Sequence, residues 1–201
     1  MGIELGRWLP LATAVLLALL PAVLTPYTSD LVIKIVILAV FALSLELLVG
    51  MTGLVSLGHA AFFGIGAYVA VLASPEYDPA NLLLLGAACV GAAALYALFV
   101  GALSLRTKGV YFIMVTLAFA QMAYFVFHDT AVGGGTDGIY LNVRPVRGAF
   151  DSGDKNHFYY LALTALIFTY GVLALVRRSR FGHALAGIRV NEQRMRAAGF
   201  A

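Results

Sequence analysis

Glu46, Thr52, Ser56 and His59 lie close together in an otherwise apolar part of this 201-residue chain. Gly50, Gly53 and Gly58 are interleaved with them, and Gly64 and Gly66 follow. A carboxylate, two hydroxyls and an imidazole can hydrogen-bond water or a polar solute. Glycine is unfavourable by about 1 kcal/mol against alanine inside a helix, so a run of glycines asks for a reason. Non-helical backbone at membrane depth is tolerated only where it is buried in protein or lines a wet cavity. Interrupted helices of this kind mark pathways in transporters. On that reading Glu46, Thr52, Ser56 and His59 line or gate a passage, and Gly50, Gly53 and Gly58 break the backbone there. The other reading puts Glu46 at a membrane interface and has His59 bonding a neighbouring helix. Helix packing accounts for Gly64 and Gly66. Ala60/Gly64, Gly66/Ala70 and Ala87/Gly91 are small pairs four apart, which let helix backbones approach in lipid.

Other chemistry finds little support. No Ser/His/Asp or Cys/His arrangement stands out, and no catalytic residue is assigned. The four histidines are scattered without a close acidic or cysteine partner at ligand spacing, so no metal site is expected. GGGTDG at 133–138 is a turn signature. It is not a phosphate loop, which needs G-x-x-x-x-G-K-[ST]. If ATP is used, another chain binds it. The single cysteine, Cys89, cannot form an internal disulfide. Lys34 is expected to snorkel to an interface. Ser104, Thr116 and Gln121 read as ordinary interhelical hydrogen-bonders.

The elements that must position these groups follow from composition. The chain is 62% hydrophobic and 11% charged, against roughly 45–50% and 25% in an average soluble domain. That is a polytopic, all-α membrane protein. About 20 apolar residues cross the hydrocarbon core. Six stretches qualify: 9–25, 31–49, 54–73, 82–105, 110–127 and 158–176, with a broken or closely packed Gly-rich segment near 50–66. Whether 44–66 crosses fully or is partly re-entrant stays open. Arg7, the Arg106/Lys108 pair and six arginines in 177–201 fall on one side of these crossings. The positive-inside rule makes that side, with the N-terminus, cytoplasmic. The loops at 74–81 and 128–157 then lie outside. The second has four Asp against two Arg and one Lys, and it alone is long enough to hold structure of its own.

Residues 177–200 differ from the rest. Phe181, Leu185, Ile188 and Met195 fall near one helical face, with arginines largely around the remainder. This is an amphipathic helix or helix pair. Lying on lipid headgroups and docking a cytoplasmic partner are both open to it. The arginine cluster in so hydrophobic a chain argues for a cytoplasmic loop, not nucleic-acid binding.

Three stretches resemble one family. TGLVSLGHAAFFGIGAYVAVL is similar to the signature of permease subunits of branched-chain amino acid ABC importers. RTKGVYFIMVTLAFAQM followed by GGGTDGI resembles the next block of the LivM-type member of the permease pair. SRFGHALAGIRVNEQRMRAAGF resembles the cytoplasmic coupling loop. The resemblance covers roughly residue 45 to the end. It implies an inner-membrane permease subunit of a bacterial importer for Leu, Ile and Val. It implies partners too: a LivH-type second permease, two ABC ATPases carrying the ATP, and an extracytoplasmic binding protein. It also implies that 177–201 is the coupling segment, with Phe181, Gly182, Leu185, Ile188, Arg189, Asn191 and Glu192 meeting the ATPase. Family members continue past this loop with further spans, so 1–201 is expected to be the N-terminal part of a larger permease domain. An importer of urea or short amides is the alternative substrate reading. A non-transporting scaffold with a lipid-binding basic helix and an ion-coupled secondary transporter are the rivals of other classes.

Overall fold

A computed structural model describes residues 2–22, 25–147, 150–151 and 154–199. Residues 23–24 of the first expected span, 148–149 and 152–153 of the long loop, and 200–201 of the last segment lie outside that set. Eight α-helices carry the described chain: α1 (Gly2–Leu19), α2 (Pro26–Glu46), α3 (His59–Leu72), α4 (Leu82–Ser104), α5 (Val110–Asp129), α6 (Lys155–Arg178), α7 (Arg180–Val190) and α8 (Glu192–Ala197). The class is all-α. A two-residue antiparallel ladder, β1 (Val146–Arg147) with β2 (Phe150–Asp151), is confined to the long loop.

The helices start where the sequence supplies first-turn partners. Pro26 opens α2 at a position whose N–H would go unused. Asn81, Asp154, Ser179 and Asn191 cap α4, α6, α7 and α8, each side chain accepting from a first-turn N–H. Among the described residues four helical stretches are long and apolar enough to cross a membrane: Tyr27–Met51, Leu82–Ser104, Val110–Asp129 and Lys155–Arg178. Their outer faces carry exposed large apolar side chains, among them Leu84, Leu95, Leu98 and Phe168, each more than 70% exposed. Water would not tolerate such a surface, and hydrocarbon does.

The expected span at 54–73 is corrected. Its helix begins only at His59 and has 14 residues. At 1.5 Å per residue that is about 21 Å, short of a hydrocarbon core of about 30 Å. Residues 53–58 are non-helical. LVSLG is apolar by composition, but the backbone before it has already turned at Gly53, with φ of 74°.

The chain divides into two compact units. One joins Met1–Leu47 with Ser152–Ala201. There α2 packs along α6, and Ile33, Tyr159 and Leu163 form a buried cluster, flanked by Leu17, Ile37 and Leu166. α1 ends in a 3-10 turn, Leu20–Ala22. Pro21 has no N–H to give the Leu17 carbonyl. The Tyr159 hydroxyl, on a fully buried side chain, donates to that carbonyl at 2.6 Å. At the start of the same pair of helices Lys155 Nζ meets Asp30 Oδ2 at 2.6 Å.

The other unit, Leu48–Asp151, holds α3, α4 and α5. α3 lies against both of the others. The Tyr96 hydroxyl of α4 donates to the Phe119 carbonyl of α5 at 2.7 Å. Tyr68 of α3 stacks on Phe127 of α5, with centroids 4.2 Å apart and planes 8° from parallel. The loop after α5 folds into two 3-10 turns at Ala131–Gly133 and Gly135–Asp137. Val146 N donates to the Ala80 carbonyl at 3.0 Å, tying the two inter-helix loops together.

Candidate functional site

The break before α3 is built from short-range hydrogen bonds. A π-helical turn, Leu47–Met51, follows α2 and contains Gly50. Turns of this type are rare and recur at functional positions. Gly53 N donates to the Val49 carbonyl at 3.1 Å and Leu54 N to the Leu48 carbonyl at 3.3 Å. The Thr52 hydroxyl donates to the Leu48 carbonyl and accepts from Leu54 N. Ser56 is buried, and its Oγ accepts from Gly58 N at 3.3 Å. Two of the predicted hydroxyls thus serve the interruption itself, holding backbone groups that helix bonds no longer satisfy.

Gly58 is the tightest point. A Cβ there would lie 2.6 Å from the Thr116 carbonyl oxygen of α5. Thr116 is itself buried, with its hydroxyl turned back to the Ile113 carbonyl at 2.9 Å. Only glycine lets the segment before α3 lie directly on the α5 backbone. His59 is half-buried at the first turn of α3. Its ring meets Phe62 edge-on at 5.6 Å, and Phe62 meets Tyr96 at 5.9 Å. Glu46 is exposed at the end of α2 and belongs to the other unit. Gly64 and Gly66 differ from Gly58: among the described residues, a Cβ at either would meet nothing within 4 Å beyond its own helix backbone. The structure therefore brings Ser56, Gly58 and His59 together with Thr116, Phe62 and Tyr96. Sequence reading missed Phe62 and Tyr96 in this role. The only signal for Thr116 as the surface beneath Gly58 is the missing side chain at Gly58 itself.

The second candidate region is the pair α7–α8. Ser179 caps α7, its Oγ accepting from Gly182 N at 3.1 Å and donating to the Val176 carbonyl at 2.6 Å. Gly182 is buried in this corner, where a Cβ would sit 2.2 Å from the Val176 carbonyl oxygen. Asn191 ends α7 and caps α8, its Oδ1 accepting from Arg194 N at 3.0 Å. Glu192 pairs with Arg196 at 2.6 Å. The Met195 thioether lies over Gly187. Leu185 and Ile188 are half-buried, Arg189 is exposed, and Phe181 and Val190 project at 64% and 86% exposure. Of the residues matched to coupling, Gly182, Asn191 and Glu192 build the helix pair, while Phe181 and Arg189 stand out from it.

Long apolar helices, the interruption before α3 and a basic helix pair define a multi-pass membrane protein. The family described as branched-chain amino acid transport system / permease component matches residues 27–201, and the chain belongs to it. It is 28% identical over 212 aligned positions to the high-affinity branched-chain amino acid transport system permease protein LivM of Escherichia coli (strain K12), covering 94% of this chain and 50% of that one. The LivM protein of Salmonella typhimurium (strain LT2) is 28% identical over 204 positions, covering 89% and 48%. The chain thus spans about half the length of these relatives. No solved structure matches it.

Proposed function

We propose that this chain forms part of the transmembrane path of an ABC importer for branched-chain amino acids. Family membership over residues 27–201 carries the reading. It is a permease and not an enzyme. It resides in a bacterial inner membrane, with its N-terminus and residues 177–201 in the cytoplasm. A second, LivH-type permease completes the path, an extracytoplasmic binding protein delivers the ligand, and two ATPases hold the ATP.

The break at 47–58 is where the path is gated. Gly50 and Gly53 let the backbone turn, Gly58 fixes it to α5, and Thr52, Ser56 and His59 supply polar groups beside it. Glu46 marks the cytoplasmic mouth. The α7–α8 pair is the coupling segment: Phe181 and Arg189 engage an ATPase cleft with Leu185 and Ile188 behind them. Gly182, Asn191 and Glu192 hold the shape. ATP binding draws such segments together and shifts the balance between inward- and outward-open states.

The test is uptake of labelled leucine by membranes holding this chain, its permease partner, the ATPases and the binding protein. ATP-dependent leucine uptake that is lost with Phe181→Ala supports the reading. Urea uptake in its place overturns the substrate. Uptake that survives ATP depletion and follows an ion gradient overturns the class.

A further inference from the structure

Three arginines stand where α6 leaves the hydrocarbon. After its polar start, Lys155–His157, this helix runs from Phe158 to Val176 without a charged residue. At 1.5 Å per residue that run is about 28 Å long, close to a hydrocarbon core of about 30 Å. The headgroup layer adds about 5–7 Å on each side. Arg177 and Arg178 are the next two residues, and Arg180 follows Ser179. All three therefore stand at headgroup height. Phe168, Val172 and Leu175 are exposed along α6 at four- and three-residue steps, and Arg178 is next in that row. A row of exposed apolar side chains thus ends on a guanidinium.

Nothing in the described chain neutralises these charges. All three side chains are exposed. Among the described residues none of the three forms an ion pair or a side-chain hydrogen bond. Neither α6 nor α7 contains an acid. Glu192 of α8 is taken by Arg196 at 2.6 Å. The dipole of α6 offers about half a negative charge at this end, against three full positive ones. Height decides what supplies the rest. A soluble partner meets the chain beyond the headgroups, where α7 and α8 lie. Lipid phosphates occupy the layer in which the three arginines stand. A guanidinium holds a phosphate by paired, charge-assisted hydrogen bonds, and clustered bases just beyond a membrane helix draw anionic lipid.

We propose that Arg177, Arg178 and Arg180 bind the headgroup phosphate of an anionic phospholipid at the α6–α7 corner. The proposal requires that α6 spans the bilayer and does not require leucine import. The probes are photoactivatable phosphatidylglycerol and phosphatidylcholine, each in vesicles holding the assembled transporter. Adducts within residues 172–180 are expected about tenfold more often with phosphatidylglycerol at equal content. Arg177→Gln, Arg178→Gln and Arg180→Gln together should abolish that preference, and Arg178→Gln alone should lower it about threefold. Lysine at the same three positions should keep most of it, and Arg194→Gln in α8 should leave it unchanged. Equal labelling by the two lipids overturns the proposal, as does a preference that survives the triple glutamine variant. An equal loss with Arg194→Gln overturns it in favour of net charge alone. No adduct at the corner with either lipid means that protein covers it, and overturns it too. So does loss of the preference on adding inorganic phosphate where sodium chloride of the same ionic strength has no effect, because the ligand is then a soluble anion. A lipid preference without leucine uptake sinks the import reading and keeps the lipid site.

Discussion

Two helices of this molecule are interrupted, and the interruptions are repaired in different ways. At the end of α1, Pro21 has no N–H for the Leu17 carbonyl, and Tyr159, 142 residues away, donates its hydroxyl instead. At the break before α3, the repair comes from within four residues: Thr52 serves Leu48 and Leu54, and Ser56 serves Gly58. The first repair comes from a buried tyrosine and depends on α6 being in place. The second travels with its own segment. A distant repair locks a joint, whereas a local one lets a segment move without leaving backbone groups unsatisfied. That difference makes the α1 end depend on a residue of α6, whereas the backbone groups of the 47–58 break are served by its own side chains.

The largest effect should come from removing the one rigid point of the local break. Gly58→Val would drive side-chain atoms into the Thr116 carbonyl. It should destabilise the protein by about 3 kcal/mol or more, read by unfolding in mixed detergent micelles. Tyr159→Phe should follow. It leaves the half-buried Leu17 carbonyl without its tertiary donor, for a loss of about 1 kcal/mol or more. The loss should fall on the α1 end, visible as faster amide exchange at residues 17–20 and no change at 48–58. Ser56→Ala removes a local acceptor at longer range, 3.3 Å. It should cost about 1 kcal/mol and raise exchange at Gly58 alone. If Tyr159→Phe loosens both regions equally, the distinction between a distant and a local repair is wrong. Gly64→Ala should give the smallest effect and the opposite sign. With no atom near the added Cβ, α3 of the isolated chain gains up to about 1 kcal/mol of helix propensity. A destabilised Gly64→Ala monomer would mean that Gly64 already packs closely within this chain.

Much of this was legible in the residues. Alternation of long apolar runs with short charged loops reports the cost of polar groups in hydrocarbon, so α2, α4, α5 and α6 could be read directly. The cluster of Gly50, Thr52, Gly53, Ser56 and Gly58 announced a break because its repair is local. The C-terminal helix pair was legible from the spacing of Phe181, Leu185, Ile188 and Met195. Where the helix of the third span begins was not, since LVSLG looks like span by hydropathy, and hydropathy is blind to φ. Nor could residue types tell Gly58 from Gly64. One lies against the α5 backbone and the other lines a groove between α3 and α5, and that depends on which helix passes over each.

The sequence by itself determined an all-α membrane chain, the approximate limits of four of the six expected spans, the place of its break and its basic helix pair. Each is set by composition, or by residues within a turn or two of one another. Only the tertiary structure decided that Tyr159 completes the Leu17 carbonyl, that Thr116 lies beneath Gly58, and that Gln121 lines a groove between α3 and α5. Those outcomes depend on how helices far apart in sequence pack, and side-chain identity alone does not encode which backbone atom will lie opposite.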